Sequence, residues 1–362
     1  MRAAPSQDEA DTDTLLGALE GRGERVLVPI RGERISLTNL NKVLWPGKEN
    51  TGLRPYTKRE FLHYLLQISP WLMPHIADRP LTMIRMPDGI HGERFFQKHW
   101  EQSFPSFVET ITLFSESKDE AHTYFLCNNV ATLLWLGQLG TLEFHVWHAR
   151  ASTYPEATDA GTDYASSLES LEASILNRPD WVVFDLDPYI YSGKEAKGAE
   201  PEYNVKAFDK GKEVAFWLKE LLEEIGLKAL VKTSGKTGLH IFVPVVRTLD
   251  FEAVRSISQA VSEHLRRQHP KEITTEWAIP KRIGKIFMDY NMNARGKTLN
   301  VVYSPRGVPG APVSMPLTWA ALEKAHPMDF TMENALAWLE KTGDAWKDAL
   351  RFKQNIEALI NV

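Results

Sequence analysis

The sequence predicts an α+β fold, a mixed α/β core in which short strands carrying aspartates are flanked by amphipathic helices. Three stretches carry that expectation. DWVVFDLDP (180–188) alternates as a strand and ends on Pro188, which cannot donate to a ladder. GKEVAFWLKELLEEIG (211–226) keeps Val214, Trp217, Leu218, Leu221, Leu222 and Ile225 at helical spacing up to a Gly226 stop. KALVKTSG and LHIFVPVV read as two strands around the turn SGKTG. With 362 residues, 43% of them hydrophobic, the chain can bury a sizeable core, as one large domain or two fused subdomains.

Taken in order, residues 1–27 are acidic and poor in aromatics, which predicts a mobile tail or a short LLGALE helix outside the core. Residues 28–150 mix helical stretches, KREFLHYLLQI and VATLLWLGQLG, with strand-like LTMIRM and LEFHVWHA, and form an N-terminal subdomain. Residues 151–179 lack periodicity until SLESLEASIL and read as a connection with one short helix. Residues 180–362 form the second subdomain. Within it Asp250 is placed to cap the helix FEAVRSISQAVSEHLRRQ, and KIFMDYN is a strand with Lys285, Phe287, Asp289 and Asn291 on one face. The segments TWAALEKA, ENALAWLEKTG and AWKDALRFKQNIEALI predict a mostly helical C-terminal end.

A net charge of −5 gives no global sign of nucleic-acid binding, so any basic surface has to be local. The one cysteine, Cys127 in FLCNNVATLLWLGQLG, reads as a packed small hydrophobe, which argues against zinc and disulfide frameworks. The start has no secretion signal and no apolar run reaches membrane-spanning length, so a cytoplasmic location without membrane contact is expected.

Alternation points Asp185 and Asp187 the same way, where two carboxylates repel each other unless a cation lies between them. A divalent metal is one reading; an Asp before Pro that starts a turn is the other. Asp289 has the same strand setting. Three carboxylates suffice for two divalent ions, which can clamp both oxygens of an in-line phosphoryl transfer, and hard oxygens favour magnesium or manganese over zinc. TSGKTGLH is not a P-loop, because the required earlier glycine is Leu230. What is left is a turn whose N–H groups, with Ser234 Oγ and His240, can cradle a triphosphate, or else a tight hairpin in which His240 merely packs. Lys281, Arg282 and Lys285 precede Asp289, and Arg295, Lys297 and Arg306 follow it, as suits a polyphosphate site or a solvated face. Phe95 and Phe96, near Arg94 and Lys98, suit base stacking beside phosphate.

FDLDP, SGKTGLH and KIFMDYN together resemble the three motifs of the archaeo-eukaryotic primase superfamily, specifically the polymerase domain of bacterial DNA ligase D. LTNLNKVLWPG, RFFQKH, LEFHVWHAR, NARGKT and YSPRG extend the resemblance in the same order across residues 33 to 320. It implies a primase-like catalytic core with a predominantly antiparallel sheet and flanking helices, fused to the N-terminal mixed subdomain. It also implies that Asp185, Asp187 and Asp289 bind two Mn2+ or Mg2+ ions and that Ser234, His240, Lys297 and Arg306 contact the incoming nucleoside triphosphate. Arg85 and His145 fall at active-site positions of the family, His145 near the sugar or the primer end. Asn39, Lys42 and Lys58 match a pocket for the downstream 5′-phosphate, and Phe95 with Phe96 match residues that meet template bases.

The implied activity is DNA-directed nucleotidyl transfer that fills gaps and extends overhangs at double-strand breaks in non-homologous end joining, with manganese and a preference for ribonucleotides. The chain is expected to be a freestanding monomer working with a separate ATP-dependent DNA ligase and a Ku-like end-binding protein. Four departures stand out. Lys236 comes one residue before the family's lysine position, which is Thr237; Met292-Asn293 replaces Gln-Asn; Ile84 replaces a lysine; and 190–206 is longer than usual, as a loop over the nucleotide or template entrance would be. The alternatives are an Asp-x-Asp phosphohydrolase, against which Tyr189 stands where Thr or Val is usual, and a DNA-end-binding module without chemistry.

Overall fold

A computed structural model describes residues 6–115, 120–154, 157, 159–188 and 203–361. Helix α1 (Gln7–Leu19) starts at a capping box in which Ser6 Oγ accepts from Glu9 N and the Glu9 carboxylate accepts from Ser6 N. Leu15 and Leu19 are buried, and Asp8 and Asp11 each reach Arg31 at 2.6 Å. Of the two expectations for this segment, a mobile tail or a short LLGALE helix outside the core, the structure has the helix, but a longer one (7–19) and docked into the core through Leu15 and Leu19. The acidic residues that suggested a solvated tail are the face that holds Arg31.

Strands β1 (Val26–Ile30) and β2 (Glu33–Leu37) form a hairpin, and β3 (Val43–Trp45) pairs with β4 (Tyr56–Thr57). Thr57 and Glu60 make a capping box for α2 (Lys58–Ile76). There follow β5 (Leu81–Arg85), β6 (Phe95–Gln97), the antiparallel pair β7 (Glu109–Ser115) and β8 (Glu120–Leu126), then α3 (Val130–Gln138) and β9 (Thr141–Trp147). Beyond the short α4 (Leu168–Ala173) come β10 (Trp181–Asp187), α5 (Val205–Glu224), β11 (Leu230–Thr233), β12 (Leu239–Pro244), α6 (Phe251–Gln268), β13 (Ile273–Thr274), β14 (Ile286–Asp289), β15 (Thr298–Asn300), β16 (Pro316–Leu317), α7 (Trp319–Leu322) and α8 (Ala335–Thr342).

The main sheet has the order β13-β14-β10-β12-β11-β16, antiparallel except for the β13–β14 edge, and α5 and α6 pack against β10. A second sheet has the order β15-β9-β5-β6. Because β15 comes from the second half of the chain and pairs with β9 of the first, 151–179 does not separate two independently cored units. One apolar cluster runs from Leu15 to Ile356 through both sheets.

Two local expectations change. Strand β14 stops at Asp289, whose Oδ1 accepts from Asn291 N at 2.9 Å and turns the chain into a 3-10 segment, so Asn291 leaves the strand face. Asn293 then takes the place of a strand partner for β10, accepting from Val183 N at 2.8 Å and donating to its carbonyl at 2.7 Å. The C-terminal end is less helical than its periodicity suggests. Asp344 accepts from Trp346 N at 2.8 Å and from the Tyr303 hydroxyl, which favours a turn and wedges Trp346 beside Trp181 and Phe242. Most of 190–206 lies outside the described residues. Among those described, no helix is long and apolar enough to cross a membrane.

Candidate active site

Strand register assembles the site. Lys232 of β11 opposes His240 of β12, His240 opposes Asp185 of β10, and Asp185 opposes Asp289 of β14. Directly opposed residues share a face, so four neighbouring strands present one row of charged or titratable side chains, with Asp187 two residues along. Asp185 and Asp289 are buried and Asp187 is half-buried. Burial, with repulsion from Asp187 and Asp289, pushes the Asp185 carboxyl well above its ordinary range. Burial and Asp289 push Asp187 up to about 7, and Arg282 pulls the other way. Asp289 is raised by burial and held back by its bond from Asn291 N, by Lys297 and by Arg282.

The three carboxylates interact through space without forming a closed three-ligand group among the described residues. Mutually repelling hard oxygens, with the one thiol, Cys127, buried in the N-terminal half, fit a hard divalent cation. His240 Nε2 lies 3.3 Å from Asp185 Oδ1. Burial, together with Lys232 and Arg306, drives its pKa well down and keeps the ring neutral.

Beside this row lies the SGKTG turn. Ser234 Oγ accepts from Lys236 N at 3.2 Å and Gly238 N at 2.9 Å, and Ser234 N donates to the Gly238 carbonyl at 2.9 Å. Gly235 has φ +75°, and a Cβ there would stand 2.7 Å from Arg306 Cγ and 3.0 Å from the Val313 carbonyl carbon. Gly235→Ala is therefore expected to cost about 1–3 kcal/mol of stability in a urea unfolding curve, since the turn must shift against Arg306 or break.

Arg306 donates from Nη1 to the Ser234 carbonyl at 2.7 Å, and its Nε lies 3.1 Å from Glu143 Oε2. Glu143 is a residue the sequence reading missed. Its side chain is wholly buried, yet it accepts from Gly307 N at 3.0 Å, and His145 Nε2 lies at 3.1 Å and Lys236 Nζ at 3.7 Å. Burial opposes its ionisation, but Arg306, the His145 hydrogen bond and Lys236 outweigh it and hold the carboxyl well below its usual range. The available signal was the alternation of LEFHVW, which puts Glu143 and His145 on one face. Lys236, one residue early in the turn, reaches the same group as Arg306.

Lys297 acts on both Asp289 and Lys98, and with Lys98 it lines a cleft of about 560 Å³ that also borders Tyr124 and Trp147. Arg85 is committed elsewhere: it donates to the Leu139 carbonyl at 3.1 Å and Gln97 Oε1 at 2.7 Å and lies over Trp100. These bonds brace β5 against β6 and the end of α3 rather than addressing the aspartates. The basic cluster divides in the same way. Arg282 acts on Asp187 and Asp289, Lys281 pairs with Glu276, Lys285 donates to the Pro270 carbonyl, and Arg295 pairs with Glu172.

Asn39, Lys42 and Lys58 come together where Lys42 N donates to the Asn39 carbonyl and Lys58 N to the Lys42 carbonyl. Asn39 adopts φ 55°, a left-handed conformation that asparagine tolerates. Lys42 pairs with Asp88, whereas the buried Lys58 amine has no hydrogen-bond or ion-pair partner among the described residues. Burial and the neighbouring Lys42 charge lower its pKa to about 8. Phe95 and Phe96 are exposed, and the Lys98 amine sits 5.7 Å from the Phe96 ring centre.

The site is thus a mostly antiparallel sheet bearing three aspartates beside a cation-lined turn. The structure matches the polymerase domain from Mycobacterium tuberculosis ligase D in complex with DNA, with a TM-score of 0.72 and 27% identity over 89% of this chain and 99% of that one. The family model for the LigD primase-polymerase domain matches residues 57–346, and the chain belongs to this family. Among its relatives are the multifunctional non-homologous end joining protein LigD of Pseudomonas aeruginosa, 30% identical over 83% of this chain, and the bifunctional LigD of Bacillus subtilis, 28% identical over 89%. The chain spans 32% and 45% of their respective lengths.

Proposed function

We propose that this protein is a DNA-directed nucleotidyltransferase that fills gaps and extends ends at DNA breaks, using Mn2+ or Mg2+ and preferring ribonucleotides. The observation that supports it most is the opposed row of Asp185 and Asp289, with Asp187 beside them, next to a turn where Arg306 and Lys236 converge. Asp185, Asp187 and Asp289 would hold the two ions. Bound there, the ions supply charge stabilisation of the attacking and leaving oxygens of an in-line displacement. The chain's own groups bind and orient. Arg306, Lys236 and Lys297 offset triphosphate charge, the Ser234 turn shapes the cradle, and neutral His240 can hydrogen-bond without adding charge. Phe96 offers a stacking face beside the Lys98 amine. The family and its end-joining relatives favour this reading over a phosphohydrolase. A separate ATP-dependent ligase and a Ku-like end-binding protein are the partners such an activity needs to seal a break.

The unpaired Lys58 amine, with Asn39 and Lys42, would take the 5′-phosphate on the far side of a gap. Lys58 is cationic below a pKa of about 8 and neutral above it. The preference for 5′-phosphorylated over 5′-hydroxyl gapped DNA is thus expected to fall as pH rises from 7 to 9, with bound phosphate moving the midpoint upward. Lys58→Ala should remove the preference at every pH. Fluorescence anisotropy with the two DNAs tests this; a preference that survives Lys58→Ala would place the phosphate elsewhere. DNA binding without nucleotide addition would leave an end-binding module.

A further inference from the structure

We infer that Glu143 is a positioning residue that fixes the His145 proton on Nε2, leaving Nδ1 as a hydrogen-bond acceptor for a sugar hydroxyl of the bound nucleotide. The inference rests on the nucleotide site proposed above and adds to it a role for Glu143 and a chemical form for His145.

The argument is one of donors and acceptors. Glu143 is held ionised by Arg306 and Lys236, and an ionised carboxylate only accepts. Its Oε1 already takes Gly307 N at 3.0 Å, and its Oε2 faces both Arg306 Nε and His145 Nε2 at 3.1 Å. A histidine nitrogen at that distance from such an oxygen has to bring the proton itself. The other ring nitrogen then carries a lone pair whenever the ring is neutral, and burial, opposed by Glu143 and aided by Arg306 and Lys236, leaves the His145 pKa below its ordinary value. Nδ1 has no hydrogen-bond partner among the described residues, and the side chain keeps 14% of its surface exposed.

An acceptor beside cations that suit a triphosphate selects for a donor on the same ligand. The phosphates cannot supply one at neutral pH, and of the ligand's remaining donors the sugar hydroxyls lie nearer the phosphates than the amino groups of the base. The Arg306 and Lys236 charges next to His145 also disfavour the imidazolium form, which would turn the acceptor into a donor. Glu143 thereby gives one carboxylate two tasks: it orients Arg306 for the phosphates and sets His145 for the sugar.

The test uses the full chain labelled with 15N-histidine, without primer, in the presence of Mg2+. A long-range 1H–15N spectrum, with His145→Gln for assignment, reports which nitrogen carries the proton. Titration with ATP, 2′-deoxyATP and 3′-deoxyATP reports which hydroxyl is read. The expected result is the Nε2–H form in the unsubstituted protein and a roughly 2- to 10-fold weaker Kd for one deoxy analogue, the range for a lost neutral hydrogen bond. In Glu143→Gln, whose amide can donate as well as accept, the discrimination should narrow to within about twofold. An Nδ1–H form in the unsubstituted protein, equal binding of all three nucleotides, or discrimination unchanged in Glu143→Gln would each overturn the inference. The first two do not need Glu143→Gln, so they decide even if that variant fails to fold. Binding of none of the nucleotides would overturn the proposed function together with the sugar contact, whereas an Nδ1–H form with normal nucleotide binding would overturn this inference alone.

Discussion

Asp185→Asn is expected to lower nucleotide incorporation by on the order of 10³-fold or more, yet to melt at a higher temperature than the unsubstituted protein when divalent ions are absent. Both effects have the same cause. Asp185 is buried against Asp187 and Asp289, and its charge is unfavourable until a cation offsets it. Removing the charge relieves the repulsion and also removes a ligand of the proposed cation site. The sign of the pH dependence follows. Asp187 titrates at about 7 in the fold against an ordinary value of 3.8, so between those values the folded state binds the proton and the unfolded chain does not. Stability of the ion-free protein should therefore fall as pH rises from about 4 to about 7 and level off above. Saturating Mn2+ should flatten that slope, and its apparent affinity should rise over the same window, because protons compete for the carboxylates. Differential scanning fluorimetry against pH, with and without Mn2+, checks both; a variant that is inactive but no more stable would mean that the carboxylates are not in electrostatic conflict.

The second large effect concerns the start of the same strand. Asp180 is fully buried and accepts from Arg79 at 2.9 Å and from Arg150 at 3.0 Å, with Lys353 at 3.3 Å and Arg247 Nε at 3.7 Å. Despite burial, these cations hold its carboxyl well below the ordinary range. They come from the ends of β5 and β9, from the segment after β12 and from the C-terminal end, so one carboxylate ties both sheets to the strand that carries Asp185. Asp180→Asn keeps the shape and leaves the buried cations uncompensated. It should cost about 3–5 kcal/mol in denaturant unfolding, the usual penalty for breaking a buried ion pair from one side. Because the folded pKa is depressed, the stabilisation is complete above about pH 4 and is lost only as the pH falls below that. A loss under about 1 kcal/mol would show that the cations find other partners.

Much of the fold and part of the site can be read from the sequence, for identifiable reasons. FDLDP sets both aspartates on one face because strand periodicity is local, and the amphipathic α5 and the Asp250 cap of α6 are local in the same sense. Lys232 and Glu143 are different: nothing in KALVKTSG or LEFHVW says which strand lies opposite, and their importance appears only once the register is known. The N-terminal helix is hidden by composition, since Asp8 and Asp11 count as solvated until Arg31 is found across from them. The C-terminal turns are hidden by apolar spacing that resembles a helix, while Asp344 satisfies the backbone in another way. Arg85 shows the reverse limit. Its position in the chain is read locally, but the Gln97 and Leu139 carbonyl contacts that hold its guanidinium come from residues distant in sequence.

The most direct test of the central claim is single-turnover extension of a DNA primer across a one-nucleotide gap with Mn2+, offering each of the four nucleotides in turn against each template base, with Asp289→Asn as the control. The proposed activity predicts addition of the complementary nucleotide above the others and its loss in the control. Binding of the gapped DNA with no addition, or addition that persists in Asp289→Asn, would contradict it.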